Sequence, residues 1–529
     1  MEEKTEDFKN KNLLKKIDDF IEKNSFYILL AILIIAFIIR FKNIGINAAV
    51  WWDEADYLTL AKNYGLGLPE QAAPWRARMI PMFLVIFYFF GANEWFIKFI
   101  QASVSVLGIY LTFLIGKTFF NKKVGLITAL MLTVYHESIF WTARISMGTY
   151  AIVIWALIAY LFWKGYPNCN KKYLLIAGGL YSFGIYAYDT IGFLILFLLA
   201  YLLITERLTF LKKKQFWFFV LGAVIVFVPL ASYHYVEFHG YFGESSNFLS
   251  DIYPRVGRFM TADFSIPENV VQDWQRPFMD VFKESFVYFT ALPILFKWPF
   301  FVAFLIGLTI FLDLVLGYDL LLKGKSLKLK KQLYLLLWSL SLMIPLGVTV
   351  ATTGFYFEPR FISPALPVLF VIAGVGLVKI YDWLKKYNDL VAISVVVLLL
   401  ILGINAQLTY SNQLIDMKKD SYSAENEAGT WLKEHTQEGD ILTGCGQTVQ
   451  IIYYTEREFY SAGSNQTRLE NLIDEYNSKF IMVDAYDPAC MNIMNYPGQY
   501  PDKYKLVQVF YVDKEKTQPV ILVYEVMPR

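Results

Sequence analysis

Long apolar blocks separated by short polar segments fill the first 410 residues of the chain. Most blocks have about 17 to 25 residues, the length of an α-helix that crosses the hydrocarbon core of a bilayer. Met79–Gly91 has only about a dozen residues, so we expect it to lie at the membrane surface or to be re-entrant. The pattern predicts about eleven spans, near Phe26–Ile44, Glu94–Phe120, Val124–Trp141, Gly148–Trp163, Tyr173–Tyr188, Ile191–Ile204, Phe216–Tyr233, Trp298–Leu322, Leu333–Val350, Phe361–Ile380 and Leu390–Ile404.

Lysines concentrate in the loops on one side of this arrangement when Met79–Gly91 does not cross. These loops contain Lys122-Lys123, Lys171-Lys172, Lys212–Lys214, the run Lys323–Lys331 and Lys385-Lys386. The opposite side receives Asp53, His136-Glu137, Asp189, the long loop Tyr235–Lys297 and Glu358. Because lysine-rich loops stay in the cytoplasm, the distribution predicts a multi-pass cell-membrane protein with a cytoplasmic N-terminus and an extracytoplasmic C-terminal part.

Two segments flank the predicted membrane domain of residues 25–410, whose outer loops are 45–93 and 235–297. Residues 1–24 are lysine-rich, with apolar residues at helical spacing. They favour an amphipathic helix on the cytoplasmic membrane surface, the alternative being a disordered tail. Residues 411–529 alternate helical and strand patterns. The predicted fold is therefore an all-α polytopic membrane domain followed by a small extracytoplasmic α/β domain.

Composition narrows the possible functions. Hydrophobic residues make up 56% of the 529 positions and charged residues 18%, which argues against a soluble protein. The net charge of +2 and the lack of a basic aromatic face argue against binding to nucleic acid. Three cysteines are too few for a disulfide scaffold and lack metal-ligand spacing. Cys445 and Cys490 share the predicted α/β domain and either pair or remain as two thiols.

The first outer loop carries the most informative polar residues, in the sequence Trp51-Trp52-Asp53-Glu54. One interpretation is structural: Asp53 caps a helix from Glu54 to Tyr64, and Glu54 favours the helix dipole. The other is functional, because a carboxylate among aromatic residues at a bilayer surface suits a general base. Aromatic side chains there, such as Trp52 and Tyr57, also offer a stacking surface for sugar rings.

The run from Arg40 through Trp52-Asp53-Glu54-Ala55-Asp56-Tyr57 resembles the first lumenal loop of the GT-C glycosyltransferases. Within these enzymes it more closely resembles the dolichyl-phosphate-mannose protein mannosyltransferase branch, which includes the bacterial lipid A aminoarabinose transferase. Further elements match: the Pro81–Gly91 helix, the turn Phe120-Asn121-Lys122-Lys123, Trp141-Thr142-Ala143-Arg144, and Arg360-Phe361-Ile362-Ser363-Pro364-Ala365-Leu366-Pro367.

The resemblance implies a membrane enzyme that transfers a sugar from a polyprenyl-phosphate donor, with inversion, to a glycan, protein or lipid acceptor at the outer face. It implies that Asp53 is the general base and that Glu54 supports it or binds the sugar. It implies neither a metal nor another cofactor. The candidate phosphate-binding cations are Arg40, Arg76, Arg78, Arg144 and Arg360, and the other candidate substrate-binding residues are Trp52, Tyr57, His136, Glu137 and Glu358.

The sequence also departs from the family pattern. The second acidic residue that many relatives have after Arg144 is absent, and His136-Glu137 is a candidate substitute. A lipid-linked sugar flippase is one alternative function, although the predicted spans contain little charge, unlike those of most transporters. An oligosaccharyltransferase is another, but its Trp-Trp-Asp signature lies in the C-terminal domain, where this chain lacks it. A GT-C-like scaffold without activity is a third.

Overall fold

The structure, a computed structural model, describes residues 2–69, 78–238, 278–317, 326–353, 357–446, 448–513 and 515–528. Most of the predicted loop Tyr235–Lys297, from 239 to 277, and the candidate Arg76 lie outside these residues.

The described residues are mainly helical. The α-helices are α1 (Glu2–Phe41), α2 (Trp52–Leu66), α3 (Met79–Phe89), α4 (Glu94–Phe119), α5 (Lys122–Val134), α6 (His136–Thr142), α7 (Met147–Gly165), α8 (Lys171–Ala187), α9 (Leu194–Glu206), α10 (Lys214–Phe238), α11 (Phe278–Glu284), α12 (Val287–Thr290), α13 (Leu292–Leu308), α14 (Leu312–Leu316), α15 (Leu327–Thr353), α16 (Leu366–Leu384), α17 (Asp389–Lys418), α18 (Ser423–His435), α19 (Thr448–Thr455) and α20 (Gln466–Tyr476). Short 3-10 helices cover Asp189–Phe193, Arg207–Lys212, Thr309–Phe311, Pro359–Ala365, Pro488–Asn492 and Pro497–Gln499.

Within the described ranges, nine helical segments are long and apolar enough to cross a membrane. The pair α5 and α6, bent by 55°, is a tenth if the pair forms one broken span. Each of the eleven predicted spans overlaps a helix in the structure. Ten of them correspond to the nine segments and the bent pair. The eleventh corresponds to α8, which has only 17 residues. Met79–Phe89 is a short apolar helix, as predicted from its length. The predicted fold class, a polytopic helical membrane region with a small C-terminal α/β region, is confirmed.

The chain divides into two compact units that do not follow the sequence in order. The first unit comprises Met1–Lys42, Ile100–Thr142 and Met147–Gln413, and the second comprises Asn43–Phe99, Ala143–Ser146 and Leu414–Arg529. The second unit therefore unites the first loop with the C-terminal α/β region. The domain limits predicted at residues 24 and 410 stay a prediction.

Close helix packing in the first unit depends on small residues. A Cβ atom at Gly178 of α8 would lie 1.9 Å from the carbonyl oxygen of Phe219 in α10. A Cβ atom at Gly222 of α10 would lie 2.1 Å from the carbonyl oxygen of Leu175. The two backbones approach this closely because neither glycine has a side chain, a common arrangement between membrane helices.

The C-terminal part of the second unit contains a five-stranded sheet in the order β2-β1-β3-β5-β4. Its strands are β1 (Leu442–Cys445), β2 (Phe459–Ser461), β3 (Phe480–Asp484), β4 (Tyr504–Tyr511) and β5 (Pro519–Val526). β1 is parallel to β2 and β3, whereas β5 is antiparallel to β3 and β4.

Both faces of this sheet are covered. Met482 packs in one core with Leu432 and Ile451 of α18 and α19, and its neighbours Ile481 and Val483 pack in the other with Leu469 of α20. This alternation follows from the two-residue period of a strand. Cys445 and Cys490 form a disulfide in the second core. Of the two alternatives that the sequence leaves open, a pair or two separate thiols, the structure therefore has the pair.

Candidate active site

The carboxylate of Glu54 connects two segments of the second unit. Its side chain is 1% exposed, and its Oε2 accepts a hydrogen bond from the backbone N–H of Trp51 at 3.3 Å. Its Oε1 accepts one from the backbone N–H of Ile145 at 3.0 Å. One buried carboxylate thus joins the start of α2 to the residue that follows Arg144.

Asp53 is half-buried in the first turn of α2. The prediction that Asp53 caps the helix is wrong, because α2 begins at Trp52 and Trp51 is the capping residue. Glu54 occupies the third helical position and bonds back to Trp51, so it performs the task that the sequence analysis gave to Asp53. Asp53 is therefore not needed as a cap. Two other predicted residues, Trp52 and Tyr57, lie on the same helix, half-buried and buried respectively.

Lys98, a residue that the sequence analysis did not include in the site, is the countercharge of Glu54. It is 1% exposed, and its Nζ lies 3.2 Å from Glu54 Oε1 and 2.6 Å from Glu94 Oε1. The hydroxyl of Tyr453 donates to Glu94 Oε2 at 2.6 Å. The sequence does contain a signal, because Lys98 is a charged residue within a predicted membrane span.

Arg144 is buried against the aromatic motif. Its guanidinium carbon lies 4.2 Å from the centre of the Trp51 ring, a cation–π contact, and its Nη2 donates to the carbonyl of Lys418 at 3.3 Å. Burial lowers the pKa of the Arg144 guanidinium to about 10, and the negative charge of Glu54 acts in the opposite direction. Arg144 is thus a cation at neutral pH, close to the motif that carries Asp53.

Arg78 belongs to the same unit and is also buried. It immediately precedes α3, and its Nη1 donates to the hydroxyl of Tyr64, near the end of α2, at 2.7 Å. The second unit therefore contains six of the predicted site residues, namely Asp53, Glu54, Trp52, Tyr57, Arg78 and Arg144.

Arg40, in the first unit, is surrounded by hydrogen-bond acceptors of the protein itself. Its side chain is fully buried, and Nε donates to Ser105 Oγ at 2.7 Å. Nη1 and Nη2 donate to four further acceptors, the carbonyls of Ala36, Thr133 and Leu132 and the Oγ of Ser138. Each of the five N–H groups of the guanidinium therefore has a protein acceptor, at the point where α5 ends and α6 begins.

His136 and Glu137 begin α6. Gln407 Nε2 donates to the carbonyls of Leu295 and Phe296, so its Oε1 is the acceptor that faces His136. His136 Nδ1 must then carry the proton that it shares with Gln407 Oε1 at 2.5 Å. His136 Nε2 lies 3.6 Å from Glu137 Oε1, and Glu137 Oε2 accepts from Trp141 Nε1 at 2.9 Å. Gln407 is not among the site residues predicted from the sequence.

Arg360 and Glu358 form an ion pair in the first unit. The Arg360 guanidinium carbon lies 4.8 Å from the centre of the Trp141 ring, whose N–H binds Glu137. Trp141 therefore links Glu137 with the Glu358–Arg360 pair. No group of three or more His, Cys, Asp or Glu side chains in the described part of the chain is arranged to hold a metal ion.

The chain is similar to membrane proteins of known fold. Residues 74–233 match the family model described as dolichyl-phosphate-mannose-protein mannosyltransferase. A crystal structure of ArnT from Cupriavidus metallidurans bound to undecaprenyl phosphate has a TM-score of 0.61 and 12% sequence identity, covering 93% of this chain and 97% of that chain. The chain has the GT-C fold. It is also a multi-pass membrane protein, as the sequence predicted.

Oligosaccharyltransferases share the GT-C fold of this chain. The enzyme of Archaeoglobus fulgidus in complex with Zn and sulfate has a TM-score of 0.57 and 15% identity, covering 94% of this chain and 73% of that chain. AglB from the same organism, in complex with an inhibitory peptide and a dolichol-phosphate, has a TM-score of 0.55 and 14% identity, with coverages of 96% and 75%. No curated protein sequence matches the chain.

Proposed function

We propose that the chain is an inverting glycosyltransferase that moves a sugar from a polyprenyl-phosphate donor to an acceptor hydroxyl, with Asp53 as the general base. The observation that carries the proposal is the bridging carboxylate of Glu54, which binds the backbone at Trp51 and at Ile145. This bridge brings a half-buried carboxylate, Asp53, and a buried cation, Arg144, into one compact unit. A base and a phosphate-binding cation are the two groups that such a transfer requires.

The proposed reaction has a single displacement step. The Asp53 carboxylate accepts the proton of the acceptor hydroxyl as its oxygen attacks the anomeric carbon of the donor. The bond between that carbon and the phosphate oxygen breaks, so the configuration inverts and the lipid phosphate leaves as an anion. Because a phosphate is a weak base, its departure needs a nearby cation more than it needs a proton.

Arg144 is the proposed cation for this phosphate, and Arg78 and Arg360 are further candidates. Arg40 is left out of the proposal, because its five donors are engaged by protein acceptors. Glu54 is a positioning residue in this scheme, since its carboxylate is occupied by two backbone N–H groups and Lys98. Trp52, Tyr57, His136, Glu137 and Glu358 remain proposed substrate-binding residues.

We also propose that the N-terminus is cytoplasmic and that transfer occurs at the outer face. The distribution of lysines supports this orientation. The disulfide between Cys445 and Cys490 supports it independently, because disulfides persist in oxidising compartments and are rare in the cytoplasm. Two bound ligands of proteins with the same fold, undecaprenyl phosphate in ArnT and dolichol-phosphate in AglB, support the choice of donor.

The test uses purified full-length chain, radiolabelled polyprenyl-phosphate hexoses and pentoses, and membrane extract as the source of acceptors. Asp53→Asn should lower the transfer rate by about 10²- to 10⁴-fold without changing the thermal unfolding temperature. Asp502→Asn, which changes an exposed carboxylate of the same unit, is the matched control and should transfer at the wild-type rate. Equal rates for wild type and Asp53→Asn would contradict the assignment of the base.

The same preparation separates the alternatives. An oligosaccharyltransferase-like enzyme would use a lipid-linked oligosaccharide and a peptide with an Asn-x-Thr sequon, so these are supplied in parallel reactions. A flippase would leave the donor chemically intact but move it across the bilayer of a liposome. Movement of the donor without any transfer would replace the proposed function with transport.

A further inference from the structure

Four hydrogen bonds from the C-terminal part of the second unit hold the backbone that leads to Asp53. The backbone N–H of Ala48 donates to the carbonyl of Lys419 at 2.7 Å, and Asn426 Nδ2 donates to the carbonyl of Ala48 at 2.8 Å. The backbone N–H of Val50 donates to the hydroxyl of Tyr454 at 2.6 Å. Gln450 Nε2 donates to the carbonyl of Val50 at 2.8 Å.

Val50 is the residue at which this support is most complete. It is 1% exposed, so both of its backbone polar groups need protein partners, and α19 provides them through the side chains of Gln450 and Tyr454. The next residue, Trp51, caps the helix of Asp53 and contacts Arg144. The position of Val50 therefore determines where that helix begins.

α19 is itself firmly placed. Ile451 and Ile452 are buried in the core of the α/β region, and a Cβ atom at Gly429 of α18 would lie 2.4 Å from Tyr454 Cβ. Gln450 is fully buried on this helix. The two side chains that bind Val50 thus project from an element whose own position is fixed by packing.

We infer that Gln450 and Tyr454 are positioning residues that set the location of the Asp53 carboxylate, and that the C-terminal α/β region serves as a scaffold for the first loop. The inference rests on the proposed function of Asp53. A general base works only within hydrogen-bonding reach of its proton, and displacement of a catalytic group by about 1 Å can reduce the rate about 100-fold. Neither Gln450 nor Tyr454 has to contact a substrate for this role.

Two substitutions remove these hydrogen bonds with little change in shape. Tyr454→Phe deletes one hydroxyl and keeps the ring, and Gln450→Met keeps the length of the side chain but removes the amide. Tyr460→Phe is the matched control, because the hydroxyl of Tyr460 binds Glu458 at the surface of the same α/β region. We expect each test variant to lower kcat about tenfold and the double variant to lower it about 100-fold. The KM for the donor should stay within about twofold of the wild-type value, because ground-state binding of the donor is unchanged.

Amide hydrogen exchange of residues 46–56 provides a readout that does not depend on activity. Loss of either hydrogen bond should speed exchange at Trp51 and in the first turn of α2 by about tenfold, the equivalent of about 1.4 kcal/mol, and Tyr460→Phe should leave it unchanged. Unchanged exchange and unchanged kcat in the double variant would overturn the inference. If exchange rises while even the wild type transfers no sugar, the scaffold role holds and the proposed function fails.

Discussion

At the scale of single residues, the second unit contains an ion pair that is almost completely removed from water. Glu54 and Lys98 are each 1% exposed, and removing two such charges from water costs several kcal/mol per ion. The cost is offset because Glu54 also accepts two backbone hydrogen bonds and Lys98 also pairs with Glu94. The pair depends on all its partners, so loss of one leaves a buried charge.

Lys98→Met should therefore destabilise the chain strongly. Removing one partner of a buried pair costs about 3–5 kcal/mol, whereas Lys479→Met, which breaks the exposed pair with Asp440, should cost less than about 1 kcal/mol. Thermal unfolding of the purified full-length protein, followed by tryptophan fluorescence, measures both. Similar unfolding temperatures for the two variants would mean that Glu54 tolerates the loss of its countercharge.

A second buried carboxyl lies in the α/β region and makes stability depend on pH. Burial, and then the carboxylate of Asp484 with its hydrogen bond, raise the pKa of Glu425 well above its ordinary value of 4.5. Tyr422 and Tyr486 also face this group. The folded state holds the Glu425 proton more tightly than the unfolded state does. The contribution of this proton to stability is therefore fully present below about pH 4.5 and is lost as the pH rises through the raised pKa.

We expect the unfolding free energy to fall as the pH rises above about 4.5, the ordinary pKa of a glutamate, with a slope of at most about 1.4 kcal/mol per pH unit for one proton. Glu425→Gln should remove this part of the slope and stabilise the protein at the high-pH end of the titration, because the amide does not ionise. Glu427→Gln, an exposed position on the same helix, should keep the wild-type slope. Unfolding measured across this range for the three proteins tests the assignment, which fails if Glu425→Gln retains the slope.

At the scale of elements, the break between α5 and α6 explains why an arginine is buried near a helix end. The two helices meet at an angle of 55°, and a bend of this size leaves carbonyls without helical partners. Arg40 binds the carbonyls of Leu132 and Thr133 there. Its guanidinium N–H groups thus take the place of the backbone donors that these carbonyls would have in a straight helix.

Arg40→Gln should then loosen the break rather than alter donor binding directly. We expect a loss of at least about 3 kcal/mol, because a buried carbonyl without a partner costs about 1–3 kcal/mol and several lose theirs. Lys42→Gln, an exposed cation two residues away, should have no effect. Faster hydrogen exchange at residues 132–140 in Arg40→Gln alone is the expected signature, and equal exchange in both variants would contradict it.

The same elements illustrate what a sequence can predict. The length of each apolar block determines whether a helix can cross the membrane. The sequence therefore predicts both the long spans and the short helix Met79–Phe89. The start of α2 was missed by two residues, because the cap is formed by Glu54 bonding back to Trp51. β2, with three residues, is too short to show a strand pattern.

At the scale of the whole molecule, contacts between distant parts of the sequence define the site. The first loop and the C-terminal α/β region form one unit, although about 370 residues separate Trp51 from Tyr422. Local patterns indicated the acidic motif, but not that Gln450 and Tyr454 bind the backbone of Val50 or that Lys98 pairs with Glu54. Such partners follow from tertiary packing, on which hydropathy and periodicity carry no information.

The orientation of the molecule in its membrane is testable with a native residue. Cys169 is a free, exposed cysteine in the turn before Lys171 and Lys172, and the proposed orientation places this lysine-rich turn in the cytoplasm. A membrane-impermeant maleimide should therefore label Cys169 only after the cells are permeabilised.

Glu438→Cys in a Cys169→Ser background provides the opposite case, because Glu438 is exposed in the α/β region. It should be labelled in intact cells, whereas Cys445 and Cys490 should react only after reduction, since they are joined in a disulfide. Labelling of Cys169 in intact cells, together with protection of the cysteine at position 438, would invert the orientation. It would also place Asp53 on the cytoplasmic side, where a sugar donor would have to be presented from the inner leaflet.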